Sequence, residues 1–139
     1  MKKSLILLMV AAVLTLLVAT FPEQARSGVL VKQETLDGVR VVSGGVGQSE
    51  REYLQDLDGD FSLKLVFVLK SGSYLSQIPV SVTGQNRIAL QTESSGPWML
   101  MELPEGTYTV KATYEGVEKT REISVPSTGM KTEHFSWEK

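Results

Sequence analysis

From Ser62 onward the chain is a succession of short runs in which apolar and polar positions mostly alternate, each closed by turn residues. That pattern predicts an all-β sandwich or barrel. In "SLKLVFVLK", Leu63, Leu65, Phe67 and Leu69 share one face and Val66 and Val68 the other. A strand apolar on both faces belongs at the centre of a sheet. Ile78, Val80 and Val82 alternate with Pro79, Ser81 and Thr83, and the early proline places this strand near an edge. "RIALQT" puts Ile88 and Leu90 on a common face. "PWMLMEL" gives Met99, Met101 and Leu103 one face, with Trp98, Leu100 and Glu102 opposite. The inward set of "TYTVKATY" is Tyr108, Val110, Ala112 and Tyr114. In "VEKTREISV", Lys119 and Arg121 share the phase of Val117, Ile123 and Val125. The strand therefore starts in solvent or lays two cationic stems over an apolar edge. Upstream, "VLVK" and "VRVV" flank Asp37-Gly38, a hairpin signal.

The alternation is interrupted once, by "SGGVGQSEREYLQDLDGD" from Ser43 to Asp60. Its second half predicts a helix: Ser49 and Glu52 have capping-box spacing, Leu54 and Leu57 form a docking face, and Asp58-Gly59 ends it. "GGVG" lacks the spacing of the dinucleotide fingerprint, and Glu50 and Glu52 would repel a phosphate. Asp56, Asp58 and Asp60 alternate like the first ligands of a calcium loop. That loop requires a glycine at about position six and a glutamate at about position twelve. Phe61 and Phe67 stand there, so the aspartates are expected to face water.

The first residues change the picture of where the chain goes. Lys2 and Lys3 precede an uncharged apolar run from Leu5 to Ala19, and Ala25-Arg26-Ser27 supplies small residues before Gly28. The expectation is a signal peptide over residues 1–27 and a periplasmic or secreted protein; the alternative is an inner-membrane anchor over residues 5–21. The single β-sandwich domain is then expected over 28–125, followed by a polar segment, 126–139, that is a tail or a last pairing strand. There is no cysteine, so packing alone must hold the exported fold. Cleavage removes Lys2, Lys3, Arg26 and Glu23 from 14 basic and 16 acidic residues, leaving a net charge of −4. Nucleic acid, which is held through clustered cations, is not an expected partner.

Candidate chemistry is sparse. His134 is the one histidine, and it falls in the polar C-terminal segment where a catalytic geometry is hard to support. Met99, Met101, Met130 and His134 are soft-metal ligand types, but Met99 and Met101 share the face of Leu103 and are expected to fill core space. No catalytic residue, metal ligand or cofactor is assigned. Trp98, Tyr74, Phe135 and Trp137 could line a binding face. The expected surface is Gly96, Pro97 and Trp98, with the loop of Gly44, Gly45 and Gly47 beside it. Its partner is an envelope protein or, alternatively, a polysaccharide stacked on Trp98.

The run "LPEGTYTVKATYEG", Leu103 to Gly116, resembles the signature of the carboxypeptidase regulatory-like domains. Pro104 and Gly106 make the turn, and Tyr108 and Val110 send alternate side chains inward. Together with "SSGPWMLMEL", "LKLVFVLKSGSYLSQIPVSVTG" and "SGGVGQSERE", it makes most of the mature chain similar to small exported bacterial proteins carrying that domain. The resemblance implies a transthyretin-like or immunoglobulin-like antiparallel sandwich with one short helix, serving as a non-catalytic folding, spacing or binding module. One transthyretin-like branch hydrolyses a purine-breakdown intermediate with histidines, an arginine and a terminal Tyr-Arg-Gly. This chain has one histidine and ends "HFSWEK", so nothing at residue level carries that activity over.

Overall fold

The computed structural model describes residues 31–138, apart from the side chain of Asp58; the expected signal segment lies outside the described residues. Nine strands form two sheets. They are β1 (Lys32–Leu36), β2 (Val39–Gly44), β3 (Leu63–Leu69), β4 (Pro79–Gly84), β5 (Ala89–Glu93), β6 (Trp98–Met101), β7 (Gly106–Tyr114), β8 (Val117–Val125) and β9 (Lys131–Trp137). One sheet has the order β1-β2-β6-β3-β9 and the other β5-β4-β7-β8. The inward faces predicted from alternation meet between them: Leu63, Leu65, Phe67, Met99, Met101, Val80, Val82, Tyr108, Val110 and Ala112 are all buried in one cluster. Sheet-on-sheet packing of this kind makes the structure a β-sandwich.

A second, smaller core lies on the outer face of the five-stranded sheet. The helix α1 (Gln48–Asp56) covers that face, so that Val42, Val66, Trp98 and Leu100 pack against Leu54, which is fully buried. This explains why β3 is apolar on both faces: one side meets the opposite sheet and the other meets the helix layer.

Three expectations are corrected. The strand carrying Pro79 is internal, between β5 and β7. Its proline is tolerated because it is the first residue, facing Glu93 alone, while pairing with β7 begins at Val80. The hairpin turns at Asp37-Gly38 as predicted, but its first arm runs on from Lys32 to Leu36, past the expected "VLVK", whose Val29 and Leu30 lie outside the described residues. Asp37 and Gly38, like Glu115 and Gly116 between β7 and β8, have positive φ at both turn positions, the geometry that matches the twist of two-residue hairpins.

The third correction concerns 126–139. Residues 131–137 are the last pairing strand, and β9 runs parallel to β3, so the sandwich is not wholly antiparallel. The direction follows from the connection: β8 ends at Val125 at the end of the sandwich where β3 begins, and the chain crosses there to the other sheet. Phe135 and Trp137 are 0 % and 2 % exposed, inserted into the main core. Of the two alternatives for Lys119 and Arg121, Arg121 takes the second: its guanidinium lies 5.1 Å from the centre of the Phe135 ring and pairs with Glu133.

Tyr108 ties the β6–β7 crossing to the core. Its hydroxyl donates to the carbonyl of Pro104 at 2.7 Å and accepts from Asn86 Nδ2 at 2.9 Å. The ring is therefore core while the hydroxyl fixes the turn between β6 and β7. Tyr108→Phe keeps the ring and removes both bonds, so it is expected to lower unfolding free energy in urea by about 1 to 2 kcal/mol. No loss would show that water replaces the hydroxyl.

Candidate binding end of the sandwich

The strand directions gather one set of loops at a single end. There β2 and β3 finish and β6 begins, with Gly44 opposite Trp98 and Trp98 opposite Val66. The chain passes from β5 to β6 through Ser94, Ser95 and Gly96. Ser94 Oγ accepts the N–H of Ile78, and Ser95 donates its N–H to Ser43 Oγ and its hydroxyl to the Ser43 carbonyl. Gly96 then lies so close that a Cβ on it would stand 2.3 Å from the carbonyl oxygen of Gly44. Only a glycine at position 96 allows that approach.

The residues expected to form a surface are therefore brought together, but not as an open face. Gly44, Gly45, Gly96, Pro97 and Trp98 are buried, and Gly47 is half-buried. Small residues at the crossing let two backbones meet, and the indole of Trp98 fills the space under α1 beside Leu54 and Leu100. Lys64 Nζ lies 3.6 Å from its ring centre and covers it. A sugar ring has no free indole face to stack on.

The helix start is satisfied internally, two residues earlier than the Ser49–Glu52 spacing suggests. Gly47 is the N-cap residue, and its N–H donates to the Glu50 carboxylate at 2.9 Å. Gly45, at φ +95°, reverses the chain just before, which sets the register of the first turn. Arg51 donates to the carbonyls of Gly45 and Val46, closing the loop on itself. Glu50 is buried in this role, and its carboxylate occupies the place an anion would need.

What the end does expose is apolar. Val46, Tyr74 and Val117 are the large hydrophobic side chains exposed among the described residues, at 63 %, 55 % and 54 %. All three belong to this end: Val46 follows β2, Tyr74 bridges to Val68 at the end of β3, and Val117 opens β8. Beside Val117 a cleft of about 220 Å³ opens between the two sheets, lined by Tyr114, Glu115, Val117, Lys119, Trp137 and Glu138. The Tyr114 and Trp137 rings are 5.9 Å apart and tilted by 59°. Trp137 Nε1 donates to the Val117 carbonyl at 2.9 Å, which locks the cleft's floor to its wall. Lys70 pairs with Glu138. Its hydrogen bond, then its charge, hold the Glu138 carboxyl below the ordinary range, with Lys119 contributing.

Sequence reasoning named Tyr74 and Trp137 among the aromatics for a binding face, and both are here. Phe135, named with them, is core. Val117 and Tyr114 were read only as inward positions. The signal that could have found the cleft is the break of phase at Lys119 and Arg121, which marks where β8 leaves the core.

Elsewhere, His134 is exposed on β9 opposite Val66. Met99 and Met101 are fully buried in the main core, and Met130 packs on the helix layer. Among the described residues no group of three or more histidine, aspartate or glutamate side chains is placed to hold a metal ion. The four-stranded sheet carries an open depression of about 410 Å³ lined by residues that include Pro79, Ser81, Gln91, Lys111 and Glu118. Set against known proteins, the chain matches no protein-family model and no curated protein.

Proposed function

We propose that this is an exported, non-catalytic binding module of the bacterial cell envelope, whose partner is a protein engaged through the loop end of the sandwich. One observation carries the reading: Val46, Tyr74 and Val117 converge on the end that also holds the aromatic cleft. Scattered exposed apolar residues need no explanation, but here the large ones exposed among the described residues all stand at one end, where an interaction surface accounts for them. The basic start and apolar run of residues 1–21 support export. Pro104, Gly106, Tyr108 and Val110, with the Tyr108 hydroxyl on Pro104, support a carboxypeptidase regulatory-like sandwich. The polysaccharide alternative loses its main residue, because Trp98 lies under Lys64 and α1.

The test is position-dependent crosslinking in living cells. A photoreactive residue at Val46 or Tyr74 is expected to give one discrete protein adduct, and the same residue at Thr109 or Thr120, on the outer face of the four-stranded sheet, none. Equal adducts from both faces, or none from the loop end, would overturn the reading.

A further inference from the structure

We infer that the cleft between Tyr114, Val117 and Trp137 receives a single neutral apolar side chain, of leucine or phenylalanine size, presented by the protein partner. The inference rests on the proposed binding end and names what that end recognises. Size comes first. At about 220 Å³ the cleft is smaller than the roughly 300 to 1,000 Å³ of small-molecule sites, yet adequate for one large side chain. Its polar capacity points the same way. The indole N–H of Trp137 is already spent on the Val117 carbonyl, so the cleft meets an occupant with the ring and not with that donor.

The charges around the mouth argue for a neutral occupant. Glu115 and Glu138 carry two negative charges, and Lys119, on the cleft, and Lys70, paired to Glu138, carry two positive ones. A cation or an anion entering this balanced set meets as much repulsion as attraction, and loses hydration besides. An aliphatic or aromatic group loses nothing and gains contact with two rings. Such a centre, an aromatic pocket ringed by polar groups that exclude water, is the arrangement found at interface hot spots. The exposed Tyr74 and Val46 extend apolar contact outward across the same end.

The experiment uses the protein as the cell leaves it, labelled with nitrogen-15, and reads the indole N–H resonances of Trp137 and Trp98. N-acetyl-leucinamide and N-acetyl-phenylalaninamide are expected to shift Trp137 saturably, at roughly tens of millimolar for so small an apolar contact, and to leave Trp98 unmoved. Val117→Trp, at an exposed side chain, fills the cleft and should abolish the shift, with Trp98 at its native resonance position as the check that the fold is kept. N-acetyl-lysinamide or N-acetyl-glutamic acid amide shifting Trp137 as strongly would overturn the neutral occupant. Silence of Trp137 to all four probes would overturn the site. Silence combined with crosslinks from Val46 or Tyr74 would remove this cleft and leave the binding module standing.

Discussion

A chain ending at Val125 is expected not to fold. Residues beyond it look dispensable in the sequence, since nine of the last fourteen are lysine, glutamate, serine, threonine or histidine. In the structure they form β9, whose Phe135 and Trp137 fill the main core beside Phe67, Tyr114 and Arg121. Truncating one buried aromatic costs about 3 to 5 kcal/mol, and removing two approaches the roughly 5 to 15 kcal/mol that holds a typical domain together. The loss is compounded because seven residues of β3, Leu63 to Leu69, lose their β9 neighbour. Far-ultraviolet circular dichroism and size-exclusion chromatography of the truncated chain should show an expanded or aggregated species. A compact chain with a cooperative thermal transition would show that β9 is an accessory to the sandwich. Phe135→Ala, tested alone, should lower stability by about 3 kcal/mol or more while leaving a folded protein for comparison.

Trp98→Ala is expected to cost about 3 to 5 kcal/mol, as for any aromatic removed from a packed interior. The position was a candidate for recognition, and the same substitution separates the two roles. Trp98 is 9 % exposed, with Leu54 of α1 in the same cluster and Lys64 above the ring. Its loss opens a cavity under the helix, so the expected result in urea unfolding is a lower midpoint, with α1 loosened before the sheets. Slowed-exchange measurements on the amides of Glu52 to Asp56 would report that loosening. A loss under about 1 kcal/mol, with those amides still protected, would mean that the helix layer is held by Leu54 and Tyr53 without the indole.

The sheets were legible in the chain because alternation is a local property. Each inward residue of β3, β6 and β7 could be read from its own neighbours, and the turns at Asp37-Gly38 and Glu115-Gly116 announced themselves by residue type. What depended on distant partners was not legible. Pro79 reads as an edge signal, yet it sits in an internal strand because it occupies that strand's first position. The segment 131–137 is polar at Lys131, Thr132, Glu133, His134 and Ser136, and only a partner strand with the right spacing reveals Phe135 and Trp137 as core. Glycines at 44, 45 and 96 were correctly associated with Trp98, but as a surface. Gly96 serves close contact with the Gly44 backbone, while Gly44 and Gly45 leave room for the side chains of Val31 and Trp98, distinctions that need the distances. The cleft was the least visible feature, since it is assembled from the ends of β7, β8 and β9.

The sandwich's long edges are also bound across the two sheets. Lys32 Nζ donates to the carbonyl of Glu93, Asp37 accepts the N–H of Ala89, and Thr92 bonds to Glu34, joining β1 to β5. Arg121 and Glu133 join β8 to β9. Charged side chains on edge strands make poor templates for a foreign strand.

The parallel pairing of β3 with β9 has a consequence in time. Leu63 faces Lys131, 68 residues later, and the whole strand of Lys131–Trp137 must arrive before this register exists. In a chain made amino end first, Leu63–Leu69 is therefore complete well before the strand that pairs with it. Non-local pairing of this kind slows folding. Until that strand is free, the edge of β3 that β9 covers has no partner.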